Sequence, residues 1–190
     1  VGASKSRMFS NDNAELSGSV VDGENAYSSK SMYNNEGYLG RVQYDYANRI
    51  FLNASFRRDA SSRFHPDNRW GNFWSLGAAW LINEESWFNA PWMDMLKFKA
   101  SYGSQGNDAI GNYRYTDTYS VAPLNGQIAT TFETKGNKDI TWETNENFNT
   151  GIEFGLWGSR LSGSIEYFYR KTSDMLFFFN VATSSGYSGY

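Results

Sequence analysis

Apolar residues occupy every second position in six stretches of this chain, and a period of two predicts β-strands with one oily face and one wet face. In Leu161-Ser-Gly-Ser-Ile-Glu-Tyr-Phe-Tyr169, the residues Leu161, Gly163, Ile165, Tyr167 and Tyr169 share one side while Ser162, Ser164 and Glu166 share the other. Tyr38, Gly40, Val42, Tyr44 and Tyr46 oppose Arg41, Gln43 and Asp45 in the same way, and Ile50, Leu52, Ala54 and Phe56 oppose Asn53, Ser55 and Arg57. Trp74 to Ile82, Leu96 to Tyr102 and Phe148 to Leu156 complete the set. Leu39, Phe51, Phe73, Leu81 and Phe168 break the alternation, and most of them are expected near strand ends, where the constraint is weakest.

The segments joining these strands tend to alternate between short and long. Ala47-Asn48-Arg49, residues 83–95 and residues 157–160 lie on one side of the expected sheet; residues 59–69 and 103–147 lie on the other. Short turns at one end and long loops at the other are the arrangement of an outer-membrane barrel, with the turns periplasmic and the loops external. The expected fold is therefore all-β, an antiparallel up-and-down meander of about six strands forming part of a large transmembrane β-barrel. Residues 1–37 are expected as an external loop and strand lead-in, 38–176 as the consecutive strands with 103–147 as their longest loop, and 177–190 as a further, truncated external loop.

Composition sharpens this picture. The chain holds 14 Phe, 13 Tyr and 7 Trp, yet its longest apolar run is Met175-Leu-Phe-Phe-Phe179, far short of the roughly 18 residues a membrane-crossing helix requires. Tilted strands of about 9–11 residues remain possible, because their polar half hides the oily face from any average. Tyr38, Trp70, Trp80, Trp87, Trp92, Trp157 and Tyr169 gather near strand ends, where interfacial rings would sit; an aromatic core in a soluble sandwich is the other reading of the same residues. Net charge is −3, which gives no basic footprint for nucleic acid. There is no cysteine, hence no disulfide framework and no thiolate metal site. The first residues, Val1-Gly-Ala-Ser-Lys-Ser-Arg7, lack an initiator Met and an apolar leader, so the chain is expected to be a piece of something longer.

Little points to catalysis. The single histidine, His65, lies in Arg63-Phe-His-Pro-Asp67 without a nucleophile elbow to serve, and one His without Cys makes no typical zinc site. Carboxylates such as Glu84 with Glu85, Asp45 with Asp59, or Glu153 with Glu166 could in principle act as a pair, but solvated roles suit them better. The expectation is a non-enzyme without cofactor or metal. Arg41, Asp45, Arg57, Lys97, Lys99, Glu153 and Glu166 are expected to face the lumen, since a charge on the lipid side costs about 2–4 kcal/mol near the midplane. Arg58 is the exception by parity and is expected at the outer rim, above the hydrocarbon.

Several segments together resemble one family. They are Phe56-Arg-Arg-Asp-Ala-Ser-Ser-Arg-Phe64, Asn68-Arg-Trp-Gly-Asn-Phe73, Ala79-Trp-Leu-Ile-Asn-Glu-Glu-Ser-Trp-Phe88 and Leu96-Lys-Phe-Lys-Ala-Ser-Tyr-Gly103, followed by Gly106-Asn107, Ile110-Gly-Asn-Tyr113, Ile140-Thr-Trp-Glu-Thr144, Asn149 to Leu156 and Tyr167 to Leu176. In order and spacing these are similar to the SusC/RagA family of TonB-dependent outer-membrane transporters. Ala60 stands where relatives often have Gly, and Trp74 where Pro is common. The resemblance implies import of large nutrients, glycan oligosaccharides or peptides, with a SusD-like surface lipoprotein as lid and the TonB complex engaged through a plug region that this chain does not contain. It also implies that about six strands are one part of a ring of about 22. Asn112, Tyr113, Arg114, Tyr115, Tyr119 and Trp142 are the expected substrate contacts, by stacking on sugar or packing on peptide; packing against neighbouring loops is their alternative use. Two other readings stay open: a soluble carbohydrate-binding β-sandwich, in which Trp80, Ile165 and Tyr167 pack on a second sheet of the same chain, and a passive porin.

Overall fold

The computed structural model describes residues 6–8, 19–20, 30–125, 127–182 and 184. Most of the sequence expected as the leading loop, and residues 183 and 185–190 of the trailing one, lie outside the described residues. Ten strands follow in order: β1 (Ser6–Met8), β2 (Ser19–Val20), β3 (Asn35–Tyr46), β4 (Ile50–Ser61), β5 (Trp70–Leu81), β6 (Met93–Asn107), β7 (Thr118–Leu124), β8 (Gln127–Thr134), β9 (Glu143–Leu156) and β10 (Leu161–Ser173). Six of them form one antiparallel sheet in the order β10-β9-β6-β5-β4-β3; β1 with β2 and β7 with β8 make two small hairpins. The meander is thus the expected one, interrupted only where the chain leaves after β6, makes the β7–β8 hairpin and returns as β9.

The long connection is shorter than expected, residues 108–142 in place of 103–147, because β6 and β9 continue pairing as far as Asn107 and Glu143. The β7–β8 hairpin within it was not anticipated, and β2 lies against both of its strands. At the same end β3 begins at Asn35, not Tyr38, and β10 runs on to Ser173. Phe168 and Leu39 are accordingly well inside their strands and not near the ends.

Register turns each strand's alternation into rows across the sheet. Tyr46, Ile50, Trp80, Phe98, Ile152 and Ile165 are successive partners on one face. Asp45, Phe51, Ala79, Lys99, Gly151 and Glu166 make the adjacent row on the other. A slip of one residue in any strand would exchange the faces, so the shared hydrophobic pattern is what fixes the register. From Leu161 to Tyr169 the strand advances about 27 Å, or about 21 Å across a membrane when tilted by about 40°, close to the apolar band of about 25 Å that such barrels carry.

Among the described residues nothing covers the oily face. Ile165 is 71% exposed, and Val42, Leu76, Ile152 and Tyr167 are exposed with it, whereas Ala60, Phe64 and Phe73 are the only buried apolar side chains among the described residues. Among the described residues no second sheet packs on Ile165 and Tyr167, contrary to the sandwich reading, which required that burial. No helix among the described residues is long and apolar enough to cross a membrane. A contiguous apolar face left open in this way is rare on a soluble monomer and marks a membrane or protein contact.

Candidate functional site

The wet face is organised around charges that pair across strands. Lys97 on β6 stands opposite Glu153 on β9, and their side chains meet at 3.3 Å. Lys99, one row further, donates to Glu153 at 2.8 Å and to Glu166 on β10 at 2.5 Å. That last contact passes over β9, and it exists because the residue between them is Gly151. A Cβ there would stand 2.8 Å from the Ile165 carbonyl and 3.0 Å from Glu166 Cγ, blocking the path of the glutamate. Four of the expected wet-face residues therefore act as one network spanning three strands.

The remaining three behave differently. Arg57 pairs with Asp59 two residues along its own strand, at 2.5 Å. Asp45 accepts a hydrogen bond from the Asn48 backbone at 2.8 Å and so closes the β3–β4 turn, in which Ala47 and Asn48 take φ of 53° and 54°. Arg41 stands exposed opposite Ser55 and has no ion pair among the described residues. A trough of about 360 Å³ runs beside the lysine and glutamate network, lined by Phe51, Asn53, Gly77, Lys97, Lys99 and Glu166.

At the long-loop end a clasp holds three segments together, and sequence reasoning missed it. Asp108 accepts from the Tyr33 hydroxyl at 3.0 Å and from Ser61 Oγ at 2.7 Å, and pairs with Arg63 at 3.4 Å. Arg63 also donates to the Asp108 carbonyl at 2.9 Å and lies over the Tyr33 ring at 4.4 Å. Partial burial and the bond to Asp108 raise the Tyr33 hydroxyl above the ordinary tyrosine range. Beside the clasp, Phe64 is fully buried and packs at a tilt on Trp142 at 5.3 Å; Phe73 meets Trp142 edge-on at the same separation. Phe73 breaks the alternation because its ring fills the space above two glycines: a Cβ on Gly106 would lie 2.0 Å from Phe73 Cζ, and one on Gly71 2.4 Å. The usable signal was present in the quoted segments, since Arg63-Phe64, Phe73, Gly106-Asn107 and Trp142 all belong to them.

The six expected substrate contacts divide by what already occupies them. Trp142 donates its indole N–H to the Arg69 carbonyl at 2.9 Å within the buried cluster. Asn112 donates to Ser31 at 2.8 Å and accepts from Arg63 at 3.3 Å, and the Tyr113 hydroxyl accepts from the Met32 backbone at 3.1 Å. Tyr115 meets His65 edge-on at 5.9 Å. His65 itself caps the short turn Pro66–Asn68, its Nδ1 accepting from the Asp67 backbone at 3.4 Å. Arg114 and Tyr119 remain exposed. Tyr119 projects from the hairpin against Phe132, and Arg114 lines a cavity of about 510 Å³ with Asp139, Ile140, Asp174 and the run Met175–Phe179.

Aromatic rings gather at both ends of the oily face. Tyr38 and Trp70 stack at 6.2 Å at the long-loop end, and Tyr169 lies in the row of Phe148 and Tyr102, which the register aligns with Val42, two oily rows from Tyr38. Trp80 lies beside Trp87 at 6.2 Å at the short-turn end and donates to Glu85 at 3.0 Å; Trp92 and Trp157 are exposed there too.

Comparison with known proteins agrees with this geometry. Residues 4–190 match the family described as TonB dependent receptor-like, beta-barrel. The TonB-dependent receptor SusC of Bacteroides thetaiotaomicron is 34% identical over 73% of this chain, and the TonB-dependent receptor P26 of Formosa agariphila is 33% identical over 80%. The chain spans 15% and 16% of those relatives. Among solved structures, the RagAB peptide transporter superposes with a TM-score of 0.77 at 31% identity, covering 83% of this chain and 18% of that one. The RagAB peptide importer in its closed-closed state gives 0.81 at 28% identity, over 95% and 20%. An uncovered oily face, a wet face tied by ion pairs and this likeness in sequence and fold place the chain in the SusC/RagA family of TonB-dependent transporters, as a stretch of wall from an outer-membrane β-barrel.

Proposed function

We propose that this wall belongs to an importer of large nutrients, glycan oligosaccharides or peptides, working with a SusD-like surface lipoprotein and drawing on the TonB complex through a plug held in the barrel. The observation that carries the reading is the combination of an oily face left free for lipid with a wet face on which Lys97, Lys99, Glu153 and Glu166 pair with one another across three strands. A wall of this kind presents a polar, internally neutralised surface to a plug or a passing solute. In this reading Arg41, Asp45, Arg57, Lys97, Lys99, Glu153 and Glu166 face the lumen. Tyr38, Trp70, Trp80, Trp157 and Tyr169 mark the membrane boundaries.

The long loops lie outside the cell, and their six candidate residues act at two levels. Arg114, Tyr115 and Tyr119 touch the solute, with the apolar and charged lining of the Arg114 cavity suiting a peptide at least as well as a sugar. Asn112, Tyr113 and Trp142 hold the loops in place for them. The test is uptake of a labelled oligopeptide and a labelled oligosaccharide by cells carrying the full-length transporter, with and without its companion lipoprotein. Arg114→Ala with Tyr119→Ala should cut uptake of one solute class while leaving barrel assembly intact. Undiminished uptake after removal of the lipoprotein, or equal passive entry of both solutes without TonB, would point to a porin instead.

A further inference from the structure

The three arginines near the long-loop end of β4 are used in three ways. Arg57 is paired with Asp59 on the wet face, and Arg63 is locked to Asp108 in the loop clasp. Arg58 lies between them on the oily side of the sheet, one row beyond Phe56 and Trp74. Its guanidinium stacks over the Trp70 ring at 4.8 Å, and Trp70 in turn stacks on Tyr38. Among the described residues it has neither a hydrogen bond nor an ion pair. The acid nearest in register, Glu36, instead receives the Tyr38 hydroxyl.

A charge on the membrane side of a barrel is tolerated only near the interface, where headgroups begin. Stacking on an indole holds the guanidinium plane in place without consuming its N–H donors, so the fork stays available for a tetrahedral oxyanion. The neighbouring rings suit the same depth, with faces against acyl chain and polar edges toward water. The oily row next to Arg58, with Phe56 and Trp74, leaves apolar surface beneath the guanidinium.

We propose that Arg58, stacked on Trp70, is a binding site on the membrane-facing side of the barrel for the phosphate of an outer-leaflet glycolipid headgroup. The proposal rests on the reading that the long-loop end faces outside, but not on what the transporter imports. Its test is independent of uptake: the full-length protein in detergent is titrated with diphosphorylated lipid A and with its dephosphorylated form, and bound lipid is counted by native mass spectrometry. Wild type should favour the phosphorylated lipid. Arg58→Gln should weaken that binding about tenfold, as loss of a charge-assisted hydrogen-bonding group does, with no change in the dephosphorylated form. Arg57→Gln should leave both unchanged, and Trp70→Leu should reduce the preference while keeping the charge. Equal binding of the two lipids by wild type, or unchanged preference in Arg58→Gln, would overturn the proposal. So would displacement of lipid A by millimolar inorganic phosphate, which would mean that the site takes free anion.

Discussion

Ile165 and Ser164 are adjacent in sequence and stand on opposite faces of β10, so one substitution made at both positions isolates the effect of the face. Ile165 is the middle of the five outward residues from Leu161 to Tyr169 and is 71% exposed, with no protein neighbour to shield it. Arginine at that depth costs about 2–4 kcal/mol, and losing the isoleucine contact with lipid adds about 1–2 kcal/mol. Together the penalty is about 3–6 kcal/mol, roughly a hundredfold to ten-thousandfold in the folded population. Ser164→Arg instead places its cation opposite Glu153 on the wet face, where the change should lie within about 0.5 kcal/mol. The assay is assembly of the full-length protein in the outer membrane, read by heat-modifiable migration and by urea titration in lipid vesicles. Ile165→Arg should fail to assemble or show a sharply lowered midpoint, and Ser164→Arg should match wild type. Equal damage from both, or tolerance of Ile165→Arg, would refute the assignment of faces.

Three further outcomes follow from the contacts. Gly151→Val should break the reach of Glu166 to Lys99 and crowd the Ile165 carbonyl, lowering the unfolding free energy read by urea titration by about 1–3 kcal/mol, an effect that Glu166→Gln reproduces only in part. Gly106→Ala drives a methyl into the Phe73 ring and should expose the long loops to proteolysis, and adding Phe73→Leu should restore much of the protection. The raised Tyr33 hydroxyl means that the native clasp favours the protonated phenol, so its contribution is full below the ordinary tyrosine value of about 10 and fades as pH rises through the higher native one. Loop protection should therefore fall in that alkaline window in wild type and lose this dependence in Tyr33→Phe.

How far the sequence could be read depended on where lipid acts on it. Between Tyr38 and Tyr46, or Leu161 and Tyr169, one face must be apolar, and the alternation shows the strand and its orientation directly. Beyond that depth the constraint lapses: Asn35–Gly37 and Glu143–Asn147 are strand with polar groups on both sides, and pattern alone reads them as loop. The β7–β8 hairpin was missed for the same reason, its Thr-rich strands and Pro123 giving no clear period of two. The lysine and glutamate network could be named residue by residue, but its crossing of Gly151 required the register of three strands. Phe73 read as an irregularity until Gly71, Gly106 and Trp142 were seen around it. The clasp of Asp108 joins segments far apart in sequence, and only the fold brings them together.

These 190 residues hold no cysteine, so in a cysteine-free background of the full-length protein each introduced thiol reports on its own position and measures the two-faced wall directly. Single cysteines are placed in turn from Leu161 to Tyr169 in the full-length protein, which is then reconstituted in vesicles and treated with a water-soluble maleimide. A fluorophore at the same positions is challenged with lipids carrying brominated chains. Positions 162, 164 and 166 should react with the maleimide and resist the lipid quencher, while 161, 163, 165 and 167 should show the reverse. Labelling that varies smoothly along the strand, or alternates in the opposite phase, would contradict a wall with lipid on the isoleucine side and water on the glutamate side.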